Sequence, residues 1–242
     1  MIYTNPQRID YLDEVEGRGA LDCHFETNAL EAKKRQARFL LSLLAQHAGG
    51  REVLDFGCGA GAFVAAAKED GWQPTGYDLN GGLVQAARAH WGIDKLHTGP
   101  LEEFYASHRG SFDAISCFQV FEHLQQPVPV GKELVSLLKP GGVLLIDVPY
   151  VHQPREWISR GKTLDPTSHW CHFSLRTLSD LMRRIDCELV YRSAAPSFVS
   201  LYHRLGLKRL CVRLGIITKT MLPPIGSGVC VIGRKPNTRS KG

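Results

Sequence analysis

The period of the apolar positions changes along this chain, and the changes divide it into elements. Leu30, Ala37, Leu40, Leu41 and Leu44 follow a helical spacing. Asn28-Ala29-Leu30-Glu31 ahead of them resembles a capping box, and Gly49-Gly50 ends the run. Short apolar stretches then alternate with helical ones. Residues 52–56 read as a strand, 62–69 as a small-residue helix stopped by Gly71, 74–78 as a strand and 83–91 as a helix. Residues 95–98 and 112–118 read as strands. Residues 130–138 read as a helix ended by Pro140-Gly141-Gly142, and 143–148 as a strand that is apolar on both faces. Ser174 caps a helix over 175–185, with Leu178, Leu181, Met182 and Ile185 on one side. Residues 188–192 and 228–233 would be the last two strands. Strict strand–helix alternation over the first 150 residues predicts an α/β fold with a mainly parallel, doubly wound sheet.

Two stretches break this rhythm. Residues 1–26 are polar and aperiodic and read as an N-terminal arm to a domain over 27–242. Residues 193–227 read as an insertion before the final strand. Their basic side chains do not share one helical face, so no amphipathic membrane helix is expected.

Composition narrows the class. With 43% hydrophobic and 22% charged residues in 242, the chain is long enough to bury a core in one domain. The 7 cysteines are scattered, odd in number and lack any CxxC pair, which reads as reduced thiols in the cytoplasm. The start of the chain carries charges and no apolar run, so no secretory signal is expected, and no stretch approaches the length of a membrane span. The net charge of +5 is uneven, since residues 201–242 hold nine Lys/Arg and no Asp/Glu. Such a segment could meet phosphate or an anionic surface, or be a solvated face.

The sharpest chemical signal is Asp55-Phe56-Gly57-Cys58-Gly59-Ala60-Gly61, placed between a strand and a helix. Glycines there let the backbone turn and approach a ligand without a Cβ. The spacing is GxGxG, whereas the dinucleotide fingerprint is GxGxxG, which disfavours a nicotinamide-dependent reductase. The preceding acid suits a ligand with an ammonium group. Asp78, at the end of the second strand in Gly76-Tyr77-Asp78-Leu79-Asn80, stands where an acid accepts hydrogen bonds from ribose hydroxyls in doubly wound folds.

Four ordered motifs, at residues 53–63, 75–80, 112–124 and 137–149, resemble those of the class I S-adenosylmethionine-dependent methyltransferases. His169-Trp170-Cys171-His172-Phe173-Ser174 resembles the small-molecule branch that includes quinone-pathway O-methyltransferases and sugar methyltransferases. The resemblance implies strand order 3-2-1-4-5-7-6 with the last strand antiparallel, and S-adenosylmethionine as cofactor. It implies that Gly57, Cys58 and Gly59 face the methionine portion, that Asp55 helps to hold its ammonium, and that Asp78 binds the ribose with Leu79 against the adenine. Pro100 and Leu101 would border the adenine edge. Proline at 100 departs from the acid often found there. Phe118 and Gln119 would lie under the sulfonium.

The activity implied is methyl transfer to a small-molecule acceptor, a hydroxyl on a metabolite or sugar-type substrate that could carry phosphate. His123, His169 and His172 are the catalytic candidates, with His152 behind them. No metal is assigned. Related quinone-pathway and small-RNA enzymes use an ExxEH run with a later histidine, but here Gln119 replaces the first carboxylate. His169, Cys171 and His172 lack zinc spacing. An RNA methyltransferase is the rival within the class, disfavoured by the absence of a recognition module. A non-catalytic cofactor-binding module is the rival outside it.

Overall fold

The computed structural model describes residue 25 and residues 27–149, 169–194 and 228–237. The arm over 1–24, His152, Cys23, Cys211 and most of the basic segment after 200 lie outside these residues.

Helix α1, Thr27–His47, precedes strand β1, Glu52–Phe56. Then follow α2 (Ala62–Glu69), β2 (Gln73–Tyr77), α3 (Gly81–Trp91), β3 (Leu96–His97) and α4 (Leu101–Ser107). Strand β4 (Phe112–Phe118) leads through a 3-10 turn, Phe121–His123, into α5 (Pro127–Leu137) and β5 (Leu138–Pro149). Helix α6 (Leu175–Arg184), β6 (Glu188–Ala194) and β7 (Gly228–Arg234) complete the described chain.

The seven strands form one sheet in the order β3-β2-β1-β4-β5-β7-β6. Pairings through β5 are parallel, and β7 runs antiparallel to both β5 and β6. This is the order expected from the sequence.

Strand residues alternate between the two faces of the sheet. Leu54, Ile115, Leu144 and Ile146 pack with Leu134 and Leu178 on one face. Val53, Ala114, Val143 and Leu145 pack with Leu40, Leu41, Leu44 and Phe63 on the other. Each fully buried leucine of this set contributes roughly 1.5–3 kcal/mol. With both faces covered, the ligand-facing loops gather at the carboxyl ends of the parallel strands, on either side of the point where strand order reverses.

Four differences from the sequence reading bear on the fold. Helix α1 begins at Thr27, so Asn28 lies inside its first turn rather than ahead of it. Helix α4 was not expected. Leu101, Phe104 and Tyr105 bury its inner side, and Glu102 and Glu103 occupy its first turn, where acids suit the helix dipole. Strand β5 starts at Leu138, opposite Phe112, and the Pro-Gly-Gly turn is an irregularity inside it before Val143 pairs Ala114. Strand β6 continues to Ala194, so the insertion starts no earlier than residue 195.

The described cysteines are free, and Cys58, Cys117, Cys187 and Cys230 are buried. No described helix is long and apolar enough to cross a membrane.

Candidate active site

The site grows from the turn after β1. The amides of Gly57 and Cys58 both donate to the carbonyl of Tyr77, 2.8 and 3.1 Å away, which hooks the loop onto the end of β2. Gly57, Gly59 and Gly61 have φ of 83°, 50° and 74°, the left-handed region that side chains resist. The Asp78 carboxylate accepts from the Gly59 amide at 2.8 Å and from the Asn80 amide at 2.9 Å. Asn80 in turn caps α3 by accepting from the Leu83 amide. Trp91 donates to the Ala60 carbonyl at 2.8 Å, fixing the far side of the loop.

This loop floors a cavity of about 410 Å³. Asp55, Gly57, Cys58, Gly59, Phe118 and Gln119 line it. Six of the ten sequence-predicted cofactor residues therefore share one space. The other four lie on the β2 and α4 side. Asp78 is bonded to the loop, Leu79 packs against the core, Pro100 precedes α4 and Leu101 is buried in its first turn. Sequence reasoning missed the wall formed by Lys33, Gln36, Ala37 and Leu40 of α1. They form an i, i+3, i+4, i+7 stripe, but the apolar periodicity marked only Ala37 and Leu40, as core, and passed over the polar Lys33 and Gln36.

The electrostatics favour a cationic ligand. Burial pushes the Asp55 carboxyl up to about 7. Burial also raises Asp78, against three backbone amides that favour its ionised form. Asp147, on β5 behind Gln119, is likewise pushed by burial up to about 7. Ionising buried acids is costly in isolation, and a ligand cation offsets that cost. A cradle of Cβ-less residues beside such acids fits the methionine end of S-adenosylmethionine. At Gly59 an added Cβ would have only Leu83 nearby, at 3.8 Å, so the space there is open for a ligand.

Beyond Gln119 the chain turns through Phe121–His123. The Glu122 carbonyl accepts from the amides of Trp170 and Cys171, at 2.8 and 3.0 Å. The Cys171 thiol donates to the Leu124 carbonyl. These bonds dock residues 169–173 beside the end of β4 and bring together histidines 46 positions apart in the chain. The His123 and His169 rings lie 4.9 Å apart, and His172 is 6.2 Å from His169. His123 Nε2 is 4.0 Å from Glu122 Oε1. Glu122 is 2% exposed, and neither of its carboxylate oxygens has a hydrogen-bond partner among the described residues. Burial, with the nearby Asp147 charge, pushes its carboxyl up to about 7. Ligand atoms of Glu122, His123 and His169 all lie within 4.8 Å of one another, an arrangement able to hold a metal ion.

Comparison with known proteins agrees with the geometry. A family model described as a methyltransferase domain matches residues 29–192. A ubiquinone biosynthesis O-methyltransferase of Xanthomonas campestris pv. campestris is 38% identical over 101 residues, which is 40% of this chain and 42% of that enzyme. The Escherichia coli O157:H7 enzyme of the same name is 34% identical over 113 residues, 42% of this chain and 45% of its own. The chain thus aligns with less than half the length of these relatives. In fold, a SAM-dependent methyltransferase from Archaeoglobus fulgidus superposes with a TM-score of 0.58 at 18% identity, covering 84% of this chain and 94% of that one.

Proposed function

The chain belongs to the methyltransferase domain family, the S-adenosylmethionine-dependent class, and from that premise we propose that it methylates a hydroxyl of a small-molecule acceptor, with His123 as general base. The observation that carries this reading is His123 beside the buried carboxylate of Glu122, at the carboxyl end of β4 and four residues past the pocket-lining Gln119. The O-methyltransferase names of the two relatives support a hydroxyl acceptor.

When bound, the cofactor supplies a sulfonium-activated methyl group for in-line displacement. The protein's residues do the rest. The glycine loop and Asp55 hold the methionine end, and Asp78, with Leu79, Pro100 and Leu101 beyond it, serves the nucleoside. Phe118 and Gln119 close the sulfonium end against water. His123 takes the acceptor proton as the oxygen attacks, and the Glu122 carboxylate 4.0 Å from its Nε2 stabilises the protonated ring through charge. His169 and His172 shape the acceptor side. A phosphate on the acceptor would be drawn by the basic segment after residue 200, which lies largely outside the described residues.

A second reading is favoured by Glu122, whose carboxylate oxygens accept no hydrogen bond among the described residues. Glu122, His123 and His169 would hold a divalent ion, which would polarise the acceptor hydroxyl.

The deciding experiment measures transfer from methyl-labelled cofactor into a metabolite extract, followed by His123→Ala on the acceptor found. General base catalysis predicts a turnover loss of about 10²–10⁴-fold with cofactor affinity unchanged. Inactivation by chelator, reversed by added divalent ion, would select the metal reading instead. Near-normal turnover of His123→Ala without a chelator effect would leave His123 as pocket wall. Label in RNA, or none in any fraction, would turn the reading to an RNA enzyme or a binding module.

A further inference from the structure

Gln119 lines the cofactor cavity with its backbone in the left-handed region, at φ 55°. A non-glycine residue held there costs roughly 1–2 kcal/mol, so something must hold it. Two bonds do, and both go to one residue. The Gln119 amide donates to the Asp147 carbonyl at 2.8 Å, and its side-chain Nε2 donates to Asp147 Oδ1 at 3.1 Å.

Asp147 is itself enclosed in the sheet. It pairs with Phe118 of β4 on one side and Cys230 of β7 on the other, and is 6% exposed. A Cβ placed at Gly228 would come within 3.2 Å of its carboxylate, so that side leaves no slack. Among the described residues no cationic side chain pairs with it.

An ionised carboxylate only accepts hydrogen bonds. In its ionised form Asp147 therefore takes the NH₂ half of the Gln119 amide and leaves the carbonyl oxygen to face elsewhere. We propose that Asp147 is a positioning residue that sets the polarity of the Gln119 amide, turning its carbonyl oxygen toward the sulfonium end of the pocket. A fixed carbonyl dipole there attracts the positively charged cofactor and does nothing for its neutral, demethylated product. The pair would thereby favour substrate cofactor over product. Donation from Gln119 also favours the ionised form of Asp147 against burial, which is consistent with an NH₂ aimed at the acid. The inference rests on Gln119 lying at the sulfonium, as in the reading above.

Calorimetry with S-adenosylmethionine and S-adenosylhomocysteine separates the possibilities. Asp147→Asn is isosteric, removes the buried charge and replaces one accepting oxygen by an NH₂ donor, so it no longer fixes which end of the Gln119 amide faces it, and an unchanged circular dichroism spectrum checks its fold. It should weaken the sulfonium ligand by about tenfold, the scale of one charge-dependent contact in a partly buried site, and the product by less than about twofold. Gln119→Leu should do the same, and the double variant should be no worse than either single one. Equal weakening of both ligands by Asp147→Asn, or none of either, overturns the proposal. So do multiplicative effects in the double variant, because Asp147 would then act without Gln119. If Gln119→Leu changes neither affinity, the placement of Gln119 fails, and the proposal falls with it. Loss of selectivity in Gln119→Leu but not in Asp147→Asn overturns the role of Asp147 alone.

Discussion

Asp78 is the residue on which most of the cofactor side converges. Its two carboxylate oxygens hold the Gly59 amide and the Asn80 amide, so one side chain joins the glycine loop to the start of α3. In the proposed site, replacing it would remove ligand contacts and free the loop together. Asp78→Ala should weaken cofactor binding by about 1.5–3 kcal/mol, the cost of losing hydrogen bonds to a charged group. Asp78→Asn can keep only one of the two backbone bonds in its present geometry, since an NH₂ donor replaces one of the two accepting oxygens. It should therefore fall between wild type and Asp78→Ala when titrated by calorimetry. Equal affinity in all three proteins would remove Asp78 from the site. The same residue was visible in the sequence, because an acid at the end of the second strand is a positional signal. Asp147 was not visible. It stands in an otherwise apolar strand, and its value comes from Gln119, 28 positions earlier and one strand away. Local pattern carries no trace of such a pair. The histidines are an intermediate case. Each was singled out by its place after a strand, but the docking of residues 169–173 on the Glu122 carbonyl, which makes them one cluster, is a tertiary event.

Among the elements, the β1–α2 turn is where sequence and geometry coincide most closely, because its glycines answer to backbone shape. Gly57 and Gly59 share the left-handed backbone but differ in what surrounds them. A Cβ at Gly57 would lie 2.4 Å from Val120 Cγ2, besides the cost of φ 83°. Gly57→Ala should therefore destabilise the protein, by about 1–3 kcal/mol from strain and crowding, whether or not ligand is present. At Gly59 the protein leaves the space open, so Gly59→Val should fold less strained by neighbours yet lose cofactor binding. Thermal melts and cofactor titration of the two variants distinguish these roles. A Gly59→Val protein that still binds would displace the loop from the site. The mainly parallel, doubly wound sheet was legible from the strand–helix alternation, while the strand order came from the resemblance carried by the four ordered motifs. Helix α4 was missed because its seven residues give barely two turns, too short for periodicity to show. The α1 wall was missed because Lys33 and Gln36 face a ligand cavity, where the apolar rule does not hold.

At the scale of the whole molecule, the buried acids couple ligand binding to stability. Asp55 and Asp147 each have an ordinary value of 3.8 and are pushed to about 7 by burial, and Glu122 is raised in the same sense. A carboxyl whose folded value lies above its unfolded one holds its proton longer when folded. Its contribution is therefore complete below about pH 4 and is lost as pH rises through about 7. At about 1.4 kcal/mol per unit, the ceiling is about 4 kcal/mol for each aspartate. His47 and His97, lowered chiefly by burial, act in the opposite sense below 6.5. Both are less enclosed than the aspartates, and they offset only part of the slope. The ligand-free protein should accordingly melt at a higher temperature at pH 5 than at pH 7.5. With about 2–4 °C per kcal/mol for a chain of this size, the difference should be several degrees. Asp55→Asn and Asp147→Asn should each flatten it. Ligand reverses the balance, because the ionised acids that burden the empty site attract a cation. The rise in melting temperature on adding S-adenosylmethionine should thus be larger at pH 7.5 than at pH 5. S-Adenosylhomocysteine shares every titrating group of the cofactor but not the sulfonium charge, so its rise should change less. A wild-type protein equally stable at both pH values, with identical increments from the two ligands, would show that these acids neither carry a folding cost nor sense the sulfonium.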